Sequence, residues 1–376
     1  MKKVFVTFLA VASVIACTKS NVEFEETTEI GLKPVAHNVT KSMMIGTSFA
    51  PSESFNVWAF YKQVNPGTSI ADWQKSAENQ TTYIDEKEFV NKDATTWKGK
   101  TSYYWPKMGS LLFAGYYPTT IANQVEYTFN ATDNKMVISN YEPKRVVNPA
   151  EGKTTTYTED LMYANMTPAS VIKNNVSLVF KHALSWITVK AMKNTADGPT
   201  IVLNSVKFSG IYPKGTATIN NVPTSSTADG KTVYTFDEIK WDTDLQDNSP
   251  KDVEVQEEEC EVLKADGKTK ETVDGVKLSG TEYKLPYEPL FIPQGMNKLT
   301  IVYTIISEDG SQFKETKELV LANVKDSNSK AYNNWEAGKH YTYTITIGTD
   351  EILIAPTVTD WVPVDYAITP GVEAQL

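Results

Sequence analysis

The plainest chemistry in this chain lies at Cys17, which follows Val14, Ile15 and Ala16 at the end of the first apolar run. Small residues ahead of a cysteine form a lipobox-like pattern, in which the leader is cut before Cys17 and that residue is acylated. Met1, Lys2 and Lys3 supply the basic start, and residues 4–16 are apolar but too short to span a bilayer. Residues 1–16 therefore read as a lipoprotein signal peptide. Several acyl chains, at about 0.8 kcal/mol per buried CH2, hold a protein on a membrane without a transmembrane helix.

The other reactive side chains give much less. Cys260 sits in an acidic run, Glu257-Glu258-Glu259, and has no disulfide partner once Cys17 is acylated. Neighbouring carboxylates raise a thiol's pKa, so an inert cysteine is expected. His37, His182 and His340 are few and scattered, and no HExxH, CxxC or GxSxG pattern occurs. The loop 210–216 has the glycine spacing of a phosphate cradle, but Thr216 stands where the lysine is needed. Asp242, Asp244 and Asp247 begin like a calcium loop, which then fails because Val253 replaces the bidentate glutamate. His182 shares a parity with Phe180 and Leu184, which points it inward as a neutral, hydrogen-bonded core histidine. The expectation is no catalytic, metal or cofactor site, and no enzyme.

With 376 residues the chain exceeds what one hydrophobic core usually fills, so two domains are expected. Its 19 Tyr, 14 Phe and 8 Trp, with many Thr and Val, favour strands. A formal charge of -10 and a single arginine, Arg145, argue against nucleic acid or an anionic surface as partner. The most strand-like run is 176–192, where Val176, Leu178, Phe180, Leu184 and Trp186 share one parity and Ile187, Val189 and Ala191 the other. Either a bulge lies near Trp186 or the strand moves between two buried environments.

Further strands are expected at 30–35, 55–61, 200–208, 299–307, 313–321 and 341–347, with a hairpin turn at Asp309-Gly310. Residues 103–106 and 111–117 read as an aromatic hairpin around Met108-Gly109. No helix-period segment of useful length is found. The resulting fold class is all-β, two β-sandwiches in tandem. The limits are 17–50 for a polar tether and first strand, 51–169 for the N-terminal sandwich and 170–376 for the C-terminal one.

Five short segments then carry a family likeness. Asp160-Leu161-Met162-Tyr163-Ala164, Phe180-Lys181-His182-Ala183-Leu184, Phe291-Ile292-Pro293-Gln294, Trp335-Glu336-Ala337-Gly338-Lys339 and a late Asp360-Trp361 occur in this order behind the lipobox. In this the chain resembles the fimbrillins of Bacteroidales, lipoprotein precursors of type V pili. The resemblance implies two transthyretin-like (Greek-key) sandwiches and transport to the outer membrane. It also implies proteolytic removal of the N-terminal segment with its first strand, and filling of the exposed groove by a C-terminal strand of the next subunit. Partners would be other pilus subunits, the outer membrane through the lipid, and a host or bacterial surface ligand.

Some family members look to be cut after arginine following the first strand. Here Lys41 is the only Lys or Arg between Pro34 and Ser54, and it is the expected processing site. Val358, Val362, Val364, Tyr366 and Ile368 share one parity and form the candidate donor strand, the alternative being the last strand of their own domain. A separate reading is a stand-alone glycan-binding outer-membrane lipoprotein using Tyr103, Tyr104, Trp105 and Tyr117. Such aromatics more often pack inward.

Overall fold

A computed structural model of the chain describes residues 24–36 and 49–361, apart from 66–67, 94, 131, 149–154, 171–174, 196, 229–230, 256–257, 265, 267, 296–297, 327–328, 330–333 and 350. The protein is all-β. Its first strands are β1 (Phe24–Glu29), β2 (Leu32–Ala36), β3 (Ser54–Lys62), β4 (Thr81–Asn91) and β5 (Trp97–Gly99). Next come β6 (Tyr104–Pro106), β7 (Ser110–Tyr117), β8 (Val125–Phe129) and β9 (Asn134–Tyr141). Later strands are named by their residues.

Seven strands close into a ring in the order Met162–Ser170, Val176–His182, β2, β5, β4, β3, β7, which pairs again with Met162–Ser170. The N-terminal half is thus a closed barrel rather than two open sheets. Its composition explains the closure, because β3 is apolar on both parities. Phe55, Val57, Ala59 and Tyr61 fill the ring, while Trp58 and Phe60 face a second core outside it. That second core lies under a four-stranded sheet made of β8, β9, Gly215–Asn220 and Lys240–Asp242. Met136, Ile138, Ala217 and Ile219 of this sheet meet Trp58, Phe60, Leu112 and Tyr116 of the ring.

The C-terminal half is a sandwich around a third core. One sheet orders Tyr283–Lys284, Ser185–Lys193, Lys339–Ile347 and Ile352–Asp360; the other orders Lys251–Glu254, Thr200–Ile211, Lys298–Ile306 and Gln312–Val320. Tyr341, Tyr343, Ile345 and Ile347 all point into it, as their alternation requires. The Asp309-Gly310 turn joins its two strands as expected, with Gly310 at φ +81°, a conformation open to glycine. Gln312–Val320 is an edge strand carrying Lys314, Glu315, Lys317 and Glu318, charges that discourage pairing with another chain.

Two local expectations change. The stretch 103–117 is no hairpin: β6 pairs with β1, whereas β7 lies between β3 and Met162–Ser170. The inner faces of β7 and β3 are both apolar, and this outweighs the local turn. The run 176–192 is two strands, Val176–His182 and Ser185–Lys193, separated by Ala183 and Leu184. Val176, Leu178 and Phe180 belong to the ring core, Ala183 and Leu184 to the second core, and Ile187, Val189 and Ala191 to the sandwich core. The parity flip therefore marks a passage between buried environments. The change of sheet falls between His182 and Ser185, after the 169/170 limit drawn from the sequence.

Candidate strand-acceptor groove

The ring is closed by β2, the earliest of its seven strands in the sequence. Its sequence Ile30-Gly31-Leu32-Lys33-Pro34 alternates: Ile30 is 1% exposed and Leu32 0%, Pro34 is buried, and Lys33 faces solvent. On one side β2 runs parallel to Val176–His182, pairing Leu32 with Val176, Lys33 with Ser177 and Pro34 with Leu178. On the other it meets β5 at a single partner pair, Leu32 with Trp97. Parallel pairing is the slightly weaker kind, and a strand held on one side by one residue pair is the natural place for the ring to open.

Around Gly31 the packing is tight. The Gly31 carbonyl accepts from Val176 N–H at 3.0 Å, and Ile30 N–H donates to the Tyr103 carbonyl at 2.7 Å. Asn175 Nδ2 donates to Thr96 Oγ1 at 2.8 Å, so these two side chains join beside Gly31. A Cβ there would lie 2.3 Å from Asn175 Oδ1 and 2.8 Å from Thr96 Cγ2, closer than real contacts allow. Just before β2, Glu29 pairs with Lys98 at 2.8 Å. Partial burial opposes ionisation of Glu29, and the hydrogen bonds from Lys98 and Ser102 outweigh it and lower its pKa.

Beneath β2 lies the surface its loss would uncover. Phe180 meets Phe55 edge-on at 5.1 Å and Phe49 at 4.9 Å, and Phe49 also meets Tyr117 at 5.4 Å. Phe49 follows Lys41 in sequence, so a cut at Lys41 leaves it with the body of the protein. What remains is an apolar slot with an unpaired strand on each side, which is the arrangement that accepts an added strand.

A second feature sits where the three cores meet. His182 Nδ1 lies 2.7 Å from Asp160 Oδ2, with both side chains buried, and its ring stacks on Trp361 at 3.7 Å. Trp361 lies 5.6 Å from Trp186, which stacks on His340 at 3.6 Å. These four rings form a ladder joining the end of the Val176–His182 strand to the last strand of the sandwich. The Trp361 backbone N–H donates to the Gly338 carbonyl at 2.7 Å. His182 is thus a hydrogen-bonded core histidine, as its parity indicated. Burial pushes the His340 pKa down to about 4, with Lys284 and Lys190 adding to the effect. The Asp160 pairing was not foreseen, although Asp160 directly precedes the apolar Leu161-Met162 pair.

The remaining candidate residues separate as follows. Cys17, Lys41, Val362, Val364, Tyr366, Ile368 and His37 lie outside the described residues. Val358 is in place in Ile352–Asp360, opposite Tyr341. Cys260 is half-buried opposite Val273, and burial raises its pKa against the opposing effect of Lys277, rather than the acidic neighbours expected from the sequence. Of the four surface aromatics, Trp105 is buried against Phe113, Tyr103 stacks on Phe89, and the Tyr117 hydroxyl donates to Glu53 at 3.0 Å. Only Tyr104 of the four is exposed, at 38%, so no aromatic platform for a sugar is formed. Among the described residues no helix is long and apolar enough to cross a membrane.

A family model described as fimbrillin-like matches residues 59–361. A fimbrial protein from Bacteroides vulgatus shares the fold at a TM-score of 0.57 and 15% identity, over 89% of this chain and 100% of that one. A Bacteroides uniformis structure assigned to cell adhesion aligns over 89% and 99% at 14% identity, with a TM-score of 0.45. The curated proteins contain no match. With most of its length matched and the ring and sandwich in place, the chain belongs to the fimbrillin-like family.

Proposed function

We propose that this protein is a structural or adhesive subunit of a cell-surface pilus, built by replacing β2 with a strand from a neighbouring subunit. In this reading Cys17 is acylated and carries the precursor to the outer membrane. A protease then cuts at Lys41, and the released segment takes β1 and β2 with it. The slot between β5 and Val176–His182 is filled by the C-terminal segment of the next copy or of a related subunit. The surface bound by the finished pilus, on a host or another bacterium, follows from parts outside this slot.

The observation that carries the proposal is the position of β2. The earliest ring strand in the sequence closes the ring, buried with Ile30 and Leu32 yet secured on one side by a single residue pair. Loss of β2 exposes apolar surface that is favourable to cover again. At about 1.5 to 3 kcal/mol per buried aliphatic side chain, four or five inserted residues would hold subunits together for very long times. Val358 is committed to its own sheet, so the donor begins beyond Trp361, with Val362, Val364, Tyr366 and Ile368 on one parity.

Electron microscopy tests this directly. The full chain, exported and processed in the cell, forms fibres in the proposal, whereas Lys41→Ala leaves lipidated monomers. Fibres from the unprocessed variant, or processed protein that stays monomeric, would overturn it.

A further inference from the structure

We infer that the incoming strand is registered by a glycine, with Gly371 of a second copy taking the place of Gly31. This rests on the strand-replacement reading and specifies which residue goes where. The slot at Gly31 admits no Cβ without displacing the Asn175–Thr96 pair, at 2.3 Å from one and 2.8 Å from the other. Thr96 is buried and Asn175 is exposed, so the Thr96 methyl is the part of this tightness that stays with the ring after β2 leaves. Glycine is the residue that enters at this point without moving either side chain.

Beyond Trp361 the sequence contains one glycine, Gly371. Setting it at Gly31 in the same direction places Val372 at Leu32, Glu373 at Lys33 and Ala374 at Pro34. The pattern is apolar, glycine, apolar, charged, apolar in both segments. Charge falls where β2 is exposed and small apolar side chains where it is buried. The parity continues backward through Ile368, Tyr366 and Val364, which fall at Thr28, Glu26 and Phe24 along the path of β1, while Val372 and Ala374 enter the slot itself.

Direction is set by Pro370. In the direction of β2 it falls at Ile30, before the strand ladder begins, and forfeits one hydrogen bond to the Tyr103 carbonyl. In the reverse direction it falls at Leu32, between Val176 and Trp97, where proline is excluded from a central strand. The inserted strand therefore runs parallel to Val176–His182, as β2 does.

Cross-linking in the full chain, exported and processed, reads out this register. Lys33 is partnered with exposed Ser177, so Ser177→Cys with Glu373→Cys brings two thiols to neighbouring parallel positions. With Cys260→Ser as background, mild oxidation is expected to give a covalent ladder of subunits that collapses on reduction. Ser177→Cys with Thr369→Cys reports the reverse direction and is expected to give none. A Thr369 ladder, or no ladder in fibres that form normally, overturns the inference. Gly371→Val is expected to lower fibre yield at least tenfold, and Asn175→Ala to restore it; undiminished fibres with Gly371→Val also overturn it. Deletion of 362–376 separates the two levels: fibres that persist without this segment refute strand replacement itself.

Discussion

Replacing Leu32 with alanine removes the side chain that seats the closing strand. Leu32 is 0% exposed, in the ring core with Phe55, Trp97, Leu178 and Phe180. Truncation of a buried leucine costs about 2 to 5 kcal/mol, the transfer of its methyl groups plus the cavity left behind. At about 1.4 kcal/mol per decade, the folded-to-unfolded ratio falls roughly thirty-fold to several thousand-fold. The neighbour Lys33 is exposed, and its alanine variant stays within about 0.5 kcal/mol of the parent. Urea titration of the full chain compares the two. Hydrogen exchange localises the loss, because the Val176 amide is bonded to the Gly31 carbonyl and exchanges faster when β2 lifts away. A Leu32→Ala cost below about 1 kcal/mol, or unchanged protection at Val176, would refute the claim that this residue holds the ring shut.

Other expectations follow from the same geometry. Trp361→Ala removes the middle of the ring ladder and is expected to cost about 3 to 5 kcal/mol in chemical denaturation, with a shifted His182 ring resonance. His340 is held neutral in the fold, with its pKa lowered to about 4 from an ordinary 6.5. The unfolded chain therefore binds the proton first, so this contribution is complete above about pH 6.5 and is lost as pH falls toward 4. Urea midpoints at pH 7 and pH 5 are expected to differ less in His340→Gln than in the parent. Gly31→Val is expected to destabilise the precursor by about 1 to 3 kcal/mol through overpacking, with part of the loss recovered by Asn175→Ala. Phe313, 59% exposed on the charged edge strand, is expected to tolerate Phe313→Lys within about 0.5 kcal/mol.

Strand identity was legible wherever a residue's own neighbours decide it. The alternation of 341–347 gave its inward face, and Asp309-Gly310 gave its hairpin, because period and turn chemistry are local. Partnering was not legible. Tyr104-Trp105-Pro106 has a plausible turn to β7, yet it pairs with β1, a choice made by the shape of the whole ring. The flip of parity after Leu184 was visible, but two physical causes produce the same pattern, and only the three separate cores distinguish them. The site followed the same rule. That residues 30–35 form an early apolar strand could be read from their alternation. That this strand closes a ring, and that Gly31 faces Asn175 and Thr96, depends on residues far apart in sequence, whose meeting no local pattern announces.

Mass spectrometry of subunits taken from assembled fibres tests the central claim most directly. Strand replacement predicts that these subunits begin near residue 42, lacking both the lipid at Cys17 and residues 24–36, while retaining the C-terminal segment through Gly371. Fibres whose subunits keep an intact, lipidated N-terminus with β2 present would contradict it.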